Sequence, residues 1–254
     1  MNLNADYLSA VAEMNADFSL PQPSAAELIS CIDLTLLNEN ASDDALHHLA
    51  FQGTRQAVAA FCLFAQHLQK ISQPAGINFA TVINFPAGTQ STPSILSATS
   101  DLINSQKIDE IDYVFPYSTY LAGDHKLALE QCRQVYQLCK QAGLCFKVIL
   151  ETGALPSLNF IYQLSTEIIN QGCDFLKTST GKIPQGATPQ AAFVILKAIK
   201  DSGIACGLKV SGGIKKPEQA LLYANLAQSQ LNRPINKSWF RIGASSLLDE
   251  LRTF

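Results

Sequence analysis

Three lysines lie inside short apolar segments that have the composition of buried strands. They are Lys147 in Phe-Lys-Val-Ile-Leu, Lys177 in Phe-Leu-Lys-Thr and Lys209 in Leu-Lys-Val. Because side chains alternate between the two faces of a strand, each lysine faces away from its immediate neighbours. The apolar neighbours would pack against helices, so we expect all three lysines to point into the interior of the protein.

A buried group of lysines is costly and therefore indicates a functional site. A single lysine in such a place would ordinarily reach into solvent from the end of its strand. Burying several ammonium groups costs several kcal/mol each unless carboxylates pair with them. The carboxylates placed to compensate are Asp112, Glu151 and Asp33. Three lysines at matching positions therefore favour a catalytic role over a solvated one.

Lys177 is the expected nucleophile because its strand lies between those of Lys147 and Lys209. Neighbouring strands are about 4.8 Å apart, so two cations and burial would lower its pKa from about 10.4. A neutral amine forms a Schiff base with a carbonyl group. The resulting imine withdraws electrons, so a nearby C–C bond breaks without a metal. Asp112, with Lys209 opposite, is the expected general acid or base, acting with a bound water.

A second group of residues has the composition of a phosphate site. Ser211-Gly212-Gly213 and Gly243-Ala-Ser245-Ser246 each follow or end a predicted strand and precede a helical stretch. Glycines let backbone N–H groups approach an anion, and helix N-termini and hydroxyls add to its binding. Either motif alone would more often be a turn with a helix cap. The predicted phosphate-binding residues are Gly181, Lys182, Gly212, Gly213, Lys215, Gly243, Ser245 and Ser246.

Eight β-branched or aromatic runs, nearly all followed by a helical stretch, indicate repeated βα units. The predicted strands are Leu28–Leu34, Val58–Phe64, Asn78–Asn84, Glu110–Phe115, Leu144–Glu151, Phe175–Thr178, Gly207–Val210 and Phe240–Gly243. The predicted helices are Pro93–Gln106, Leu127–Gln141, Ser157–Asn170, Pro189–Asp201 and Pro217–Gln228, with a further N-terminal helix across residues 4–16. Thr188-Pro189 has the pattern of an N-cap followed by a first-turn proline.

Such alternation is compatible with a closed barrel or with an open doubly wound sheet. The first predicted βα turn, Thr35-Leu-Leu-Asn-Glu-Asn40, lacks a glycine-rich phosphate loop, which disfavours a dinucleotide-binding fold. We therefore predict an α/β protein with a (β/α)8 barrel and an extra N-terminal helix. Residues 1–254 are expected to form one domain. Residues 1–24 would be a helical extension that caps the barrel bottom or joins a homodimer interface.

Composition excludes several classes of partner. The net charge of -3 and the pI of about 5.8 provide no basic surface for nucleic acid or anionic membranes. Residues 1–24 lack the pattern of a signal peptide, and no segment approaches the roughly 18 apolar residues that span a bilayer. Seven cysteines without a C-x-x-C pair indicate reduced core residues of a cytoplasmic protein. Four scattered histidines lack metal-ligand spacing, so neither a metal nor another cofactor is expected.

These motifs together resemble the 2-deoxyribose-5-phosphate aldolase family, and the resemblance runs from about residue 28 to residue 250. The matching strings are Phe175-Leu-Lys-Thr-Ser-Thr-Gly-Lys182, Leu208-Lys-Val-Ser-Gly-Gly213, Arg241-Ile-Gly-Ala-Ser-Ser246, Cys31-Ile-Asp-Leu-Thr35, Thr81-Val-Ile-Asn-Phe-Pro-Ala-Gly88, Asp109-Glu-Ile-Asp112 and Phe146-Lys-Val-Ile-Leu-Glu-Thr-Gly153.

The resemblance implies a class I aldolase that needs no metal. Its reaction is the reversible cleavage of 2-deoxy-D-ribose 5-phosphate to D-glyceraldehyde 3-phosphate and acetaldehyde. Lys177 matches the Schiff-base lysine, Lys209 the lysine that perturbs it and moves protons, and Asp112 the aspartate of the proton relay. The expected supporting residues are Lys147, Asp33, Thr35, Cys62 and Thr180, although for Cys62 a packed core thiol is favoured over a substrate contact.

The chain departs from some family members in lacking a longer C-terminal tail that ends in tyrosine, since it stops at Phe254. Tail-assisted proton transfer is therefore not expected. Two other functions stay open on the same fold: a phosphosugar isomerase or cyclase that abstracts a proton, and a barrel that binds a phosphosugar without catalysis. A covalent adduct on Lys177 would distinguish the aldolase from the isomerase, and turnover would distinguish it from the binding protein.

Overall fold

The computed structural model describes residues 2–16, 20–105 and 107–254. Eight parallel strands pair in chain order and close through β8 and β1 into a barrel, which confirms the predicted fold class. The strands are β1 (Ile32–Leu36), β2 (Ala60–Leu63), β3 (Asn78–Ile83), β4 (Glu110–Val114), β5 (Cys145–Ile149), β6 (Phe175–Lys177), β7 (Gly207–Ser211) and β8 (Phe240–Ala244).

Helices surround the barrel in the part of the chain that the structure describes. They are α1 (Leu3–Ala16), α2 (Ala25–Ser30), α3 (Asp43–Gln56), α4 (Ala65–Leu68), α5 (Thr92–Ser105), α6 (Tyr117–Leu121), α7 (His125–Gln141), α8 (Leu158–Gln171), α9 (Pro189–Ser202), α10 (Pro217–Leu231) and α11 (Leu247–Leu251). The predicted cap of α9 is confirmed, since the Thr188 side chain accepts a hydrogen bond from Ala191 N and Pro189 lies in the first turn. Gln106, the predicted end of α5, lies outside the described residues.

The predicted start of the first strand is wrong. Ala25–Ser30 is helical, because Ser24 and Glu27 form a capping box: Glu27 N donates to Ser24 Oγ at 3.3 Å, and Ser24 N donates to Glu27 Oε2 at 2.8 Å. The apolar Leu28 and Ile29 are buried on this helix rather than on a strand. The other seven strands agree with their predicted bounds to within two residues at each end.

The N-terminal helix α1 packs against the outer helices α8, α9 and α10. Tyr7 meets Phe193 of α9 edge to face, with ring centroids 5.7 Å apart, and Leu3 is buried. Helix α1 thus extends the outer helical layer, whereas α2, which leads into β1, packs against α10 and α11. No helix among the described residues has the length and hydropathy required to cross a bilayer.

The main apolar core lies between the strands and the surrounding helices, as in other parallel barrels. The barrel interior itself is divided into two parts. Its β2 and β3 side is apolar, with Ala60, Cys62, Ala80 and Val82 forming a separate buried cluster against which Leu37, Phe64 and Phe85 pack. The remaining strands bring charged side chains into the interior, and these form the candidate site.

Candidate active site

The three lysines point into the barrel, as the alternation of their strands predicts. Lys147 and Lys209 are 0% exposed and Lys177 is 3% exposed. All three donate to one carboxylate on β4: Lys147 Nζ lies 2.8 Å from Asp112 Oδ1, and Lys177 Nζ and Lys209 Nζ each lie 2.7 Å from Asp112 Oδ2. Asp112 is therefore the common partner of the amines, and its central position agrees with the prediction.

A second layer of charges lies beneath this group. Lys209 Nζ also contacts Asp33 Oδ2 at 2.5 Å, and Lys147 Nζ contacts Glu110. Arg241 from β8 joins the two carboxylates, with Nη1 2.5 Å from Asp33 Oδ1 and Nη2 2.9 Å from Glu110 Oε1. We call the seven side chains the charged cluster: Asp33, Glu110, Asp112, Lys147, Lys177, Lys209 and Arg241.

Sequence reasoning missed two members of this cluster, Glu110 and Arg241. A usable signal was present for both. Glu110 precedes Asp112 by two residues on the same strand, and Arg241 lies between Phe240 and Ile242, so the rule that turned the lysines inward applies to them as well. Asn78 on β3 was also missed, and its Nδ2 donates to Glu110 Oε1 at 2.6 Å.

The expectation that Glu151 pairs with the lysines is not met at close range. Glu151 accepts hydrogen bonds from Thr180, whose backbone N lies 3.3 Å from Glu151 Oε1 and whose hydroxyl also donates to it. It acts on Lys177 through a longer-range electrostatic interaction. The carboxylates that do compensate the lysines are Asp112, Asp33 and the unpredicted Glu110.

The register of strand pairing places Lys147 and Lys209 at different depths relative to Lys177. Lys209 is its direct partner across the β6–β7 pair. Lys147 pairs instead with Phe175 of β6 and with Asp112 of β4, which places it two residues lower than the Lys177 partner Ile149. Lys209 therefore lies directly beside Lys177, as predicted, whereas Lys147 lies deeper in the barrel.

The three lysines differ in ionisation. Burial lowers the pKa of Lys177, and the nearby charge of Lys209 adds to this effect, although Asp112 opposes it. Burial acts on Lys209 in the same direction, but Asp112 and Asp33 outweigh it and raise its pKa above the ordinary value. Burial is likewise outweighed at Lys147, where the carboxylates hold the pKa well above normal. Lys177 is thus the member of the trio most readily available as a neutral amine.

The carboxyl groups of the cluster are ionised at neutral pH. Burial alone would raise the pKa of each one, but the surrounding cations more than offset it, so the pKa values of Asp33, Glu110 and Asp112 lie below their ordinary ranges. Asp112 is consequently a carboxylate that can accept a proton. It lies within hydrogen-bond distance of both Lys177 and Lys209, which allows proton exchange among the three groups.

Lys177 opens into a cavity of about 340 Å³ at the carboxyl ends of the strands. Seven of the predicted phosphate-binding residues line it, together with the supporting residues Thr35 and Thr180. The seven are Gly181, Lys182, Gly212, Gly213, Lys215, Gly243 and Ser245. Ser246 lies outside the lining and is the N-cap residue of the short helix α11. The structure therefore brings the buried amine of Lys177 to the same cavity as the glycine-containing segments that follow β6 and β7 and that end β8.

Close backbone contact shapes the phosphate-side loops. Gly212 and Gly213 have φ angles of +89° and +85°, a region that strains other residues. A Cβ on Gly186 would lie 2.3 Å from Gly212 O, so the loop after β6 packs directly on the loop after β7. Gly186 was not predicted from the sequence, because nothing in its local motif shows that another backbone approaches it.

The apolar side of the interior borders the charged side at Cys62. Its Sγ lies 4.0 Å from Asp112 Oδ2, it is buried, and burial raises its pKa, so it is a protonated thiol. All seven cysteines are free, and every one except the half-buried Cys145 is buried, which confirms the prediction of core thiols.

Lys182 Nζ donates to Leu37 O at 3.0 Å and lies 6.0 Å from the centre of the Phe85 ring.

Comparison with known proteins identifies the family. The model of the DeoC/LacD family aldolases matches residues 27–251. The chain belongs to this family. It is 36% identical over 245 residues to the deoxyribose-phosphate aldolase of Agrobacterium fabrum (strain C58 / ATCC 33970), with 94% of each chain covered. The protein is therefore an aldolase, and the resemblance found in its motifs is confirmed.

Solved structures share the fold of this aldolase. The deoxyribose phosphate aldolase of Aeropyrum pernix, described as a unique tetramer, superposes with a TM-score of 0.77 at 24% identity, covering 98% of this chain and 97% of that one. A crystal structure from Coccidioides immitis, whose assignment as a deoxyribose-phosphate aldolase is provisional, gives a TM-score of 0.79 at 22% identity and covers 100% and 98% of the two chains.

The charged groups of the aldolase site are carboxylates paired with lysine and arginine side chains. In the described residues no group of three or more His, Cys, Asp or Glu side chains is arranged to hold a metal ion. The three carboxylates of the charged cluster are instead each bound by lysine or arginine. The site therefore presents nitrogen cations and one potential nucleophile to the cavity.

Proposed function

We propose that this aldolase reversibly cleaves 2-deoxy-D-ribose 5-phosphate to D-glyceraldehyde 3-phosphate and acetaldehyde through a Schiff base on Lys177. The observation that carries the proposal is the juxtaposition of a buried amine of lowered pKa with the glycine loops that line the same cavity. The Agrobacterium relative, which bears the name of this activity, covers nearly the whole chain and supports the choice of substrate.

The chemistry follows from the positions of the amines. Neutral Lys177 Nζ attacks the C1 aldehyde of the open-chain sugar to give a carbinolamine. Protonation of the carbinolamine hydroxyl and loss of water leave a protonated imine. A base removes the proton of the C3 hydroxyl, the C2–C3 bond breaks, and its electron pair passes to the imine to form an enamine. Glyceraldehyde 3-phosphate departs. Protonation of C2 and hydrolysis of the imine release acetaldehyde and free Lys177.

Asp112 and Lys209 supply the proton transfers in this proposal. Asp112 is a carboxylate bound to both Lys177 and Lys209, so it takes up a proton when the charge on Lys177 changes. Lys209, of raised pKa, is the cation that returns a proton and that disfavours charge on Lys177. Asp33 and Lys147 hold these groups in place through their own ion pairs.

The sugar phosphate would bind to the loops after β6, β7 and β8. Gly212, Gly213, Lys215 and Ser245 all line the cavity that Lys177 enters. Their backbone N–H groups, ammonium and hydroxyl are the donors that would bind the phosphate. Glycine-rich turns at this end of a barrel commonly bind phosphate through such groups. Binding there orients the aldehyde end of the substrate toward Lys177.

Borohydride reduction tests the proposal. The protein is incubated with 2-deoxyribose 5-phosphate, reduced, digested and mapped by mass spectrometry. We expect a sugar adduct on the peptide that contains Lys177, and acetaldehyde release in the unreduced enzyme that persists in the presence of a chelator. Lys177→Ala should lose both the adduct and the activity. The exposed Lys126 provides a matched control, since Lys126→Ala should keep both.

Two results would favour the rival functions. Turnover of a phosphosugar with an unmodified Lys177 peptide would indicate an isomerase that works by proton abstraction. Saturable binding of deoxyribose phosphate without acetaldehyde release would indicate a binding protein, in which the lysines merely hold an anion.

We also propose that the enzyme works in the cytoplasm on small phosphosugar and aldehyde substrates. Seven free cysteines suit a reducing compartment. The sequence also leaves open a homodimer joined through the N-terminal extension, and light scattering would detect it as a mass in solution of twice that of the chain.

A further inference from the structure

The charged cluster is balanced when one of its amines is neutral. It holds three carboxylates, on Asp33, Glu110 and Asp112, and four cationic groups, on Lys147, Lys177, Lys209 and Arg241. All seven side chains are buried. Net charge in a buried region is costly, so three positive charges against three negative ones is the favoured state. The balance therefore requires one of the four cationic groups to lose its proton.

Arg241 is the cation that cannot provide this neutral group. A guanidinium keeps its proton in proteins, and here Arg241 is bound by Asp33 on one side and Glu110 on the other. Its Nε donates to Lys237 O, and its guanidinium lies 5.5 Å from the centre of the Phe175 ring. Arg241 is thus a permanent charge anchored at the base of the barrel interior.

Arg241 is linked to Lys177 by a continuous chain of ion pairs. It contacts Asp33, Asp33 Oδ2 contacts Lys209 Nζ at 2.5 Å, and Lys209 Nζ contacts the same Asp112 oxygen as Lys177 Nζ. Each carboxylate that Arg241 neutralises is one that would otherwise favour a proton on a lysine above it. Lys177 is the last member of this series of ion pairs and faces the cavity, where a neutral amine can react with a substrate.

We propose that Arg241 is a positioning residue for the aldolase reaction, which keeps the Lys177 amine unprotonated by completing the charge balance of the barrel interior without touching Lys177 or the substrate. This inference rests on the proposed Schiff-base role of Lys177. Removing the arginine leaves three carboxylates with three lysines, and the balanced state then has all three lysines protonated. The loss of a distant cation therefore inactivates the nucleophile.

Polar and charged groups on the seven other strands surround Lys177. The groups are Asp33 on β1, Cys62 on β2, Asn78 on β3, Glu110 and Asp112 on β4, Lys147 on β5, Lys209 on β7 and Arg241 on β8, with Glu151 beyond the end of β5. Cys62 and Asn78 are neutral. Glu151 is also buried, but it is hydrogen-bonded to Thr180 rather than to a cation of the cluster, and burial raises its pKa, which disfavours its charged form. Lys182 and Lys215 line the same cavity but are exposed, so solvent and salt screen their charges. The seven buried charges of the cluster therefore have the largest effect on the ionisation of Lys177.

The test measures the ionisation of Lys177 directly, by trapping its imine with acetaldehyde and cyanoborohydride over a range of pH. The initial rate is read on the peptide that contains Lys177, with exposed Lys126 as an internal reference. Acetaldehyde carries no phosphate, so changes in phosphate binding do not affect the result. The midpoint of the acid limb reports the pKa of Lys177.

Paired substitutions should move this midpoint in opposite directions. Arg241→Met removes a cation and should raise the midpoint by about 1 pH unit, the shift expected for charges about 10 Å apart at an effective dielectric constant of about 20. Glu110→Gln removes an anion and should lower it by a similar amount. The double variant restores the balance, and Arg241→Lys keeps the charge, so both should have midpoints near wild type.

A purely structural role for Arg241 would reduce the trapping rate equally at every pH and leave all midpoints at the wild-type value, which would overturn the inference. If Arg241→Met does not fold, the downward shift in Glu110→Gln and its reversal in the double variant decide the question. Wild-type protein that shows no adduct on Lys177 at any pH would instead refute the proposed Schiff-base function.

Discussion

Replacing Lys209 by methionine should raise the pKa of Lys177 and slow imine formation. Methionine keeps the length and most of the volume of the lysine side chain but removes its charge. In the native site the Lys209 charge opposes protonation of Lys177, and it also offsets the negative charge of Asp112 and Asp33. Both effects of the substitution favour the protonated form of Lys177, so the direction of the shift is upward.

The distances in the structure provide the magnitude. Lys177 Nζ and Lys209 Nζ each lie 2.7 Å from Asp112 Oδ2, so they are separated by at most about twice that distance. Two unit charges about 5 Å apart repel by about 3 kcal/mol at an effective dielectric constant of about 20. Because one pKa unit corresponds to about 1.4 kcal/mol, the pKa of Lys177 should rise by about 2 units. The neutral fraction at a pH below both pKa values then falls about a hundredfold.

Acetaldehyde trapping with cyanoborohydride over a range of pH is the appropriate assay. The rate at Lys177 should show an acid limb whose midpoint lies about 2 pH units higher in Lys209→Met than in wild type. Lys200→Met removes a charge from the exposed end of α9 and should leave the midpoint unchanged. A lower trapping rate in Lys209→Met with an unshifted midpoint would refute the coupling between the two charges and leave Lys209 a proton donor alone.

Three further outcomes are expected. Lys177→Ala should abolish cleavage yet unfold in urea at no lower concentration than wild type, because burial disfavours this charge; a large loss of stability would contradict that argument. Gly186→Ala should raise the KM for deoxyribose phosphate without changing acetaldehyde trapping, because the new Cβ would lie 2.3 Å from Gly212 O and would displace the loop after β7. An unchanged KM would exclude the Gly212 loop from phosphate binding. The free energy of unfolding should decline as the pH falls from about 5 through the lowered pKa values of the three carboxylates of the charged cluster, because their contribution is fully present only above the unfolded pKa of about 4. Urea titrations that show constant stability from about pH 5 to about pH 2 would contradict the ion pairing.

Local patterns in the sequence predict much of the architecture. The alternation of apolar runs with amphipathic segments predicts the eight βα units, and Thr188-Pro189 predicts the start of α9. The inward direction of Lys147, Lys177 and Lys209 follows from their apolar neighbours, because a strand has a side-chain period of two. These features need no knowledge of distant residues. The assignment of the whole chain to one domain stays a prediction.

Tertiary structure decided what depends on distance between segments far apart in the chain. Ionisation is such a property: Lys177 and Lys209 have similar local sequences, yet their pKa values shift in opposite directions because Asp33 approaches Lys209. The contacts of Arg241 with Asp33 and Glu110, across 208 and 131 residues, also appear only when the barrel closes. Local sequence determines which way a side chain points, whereas folding determines which charges meet and therefore which amine can lose its proton.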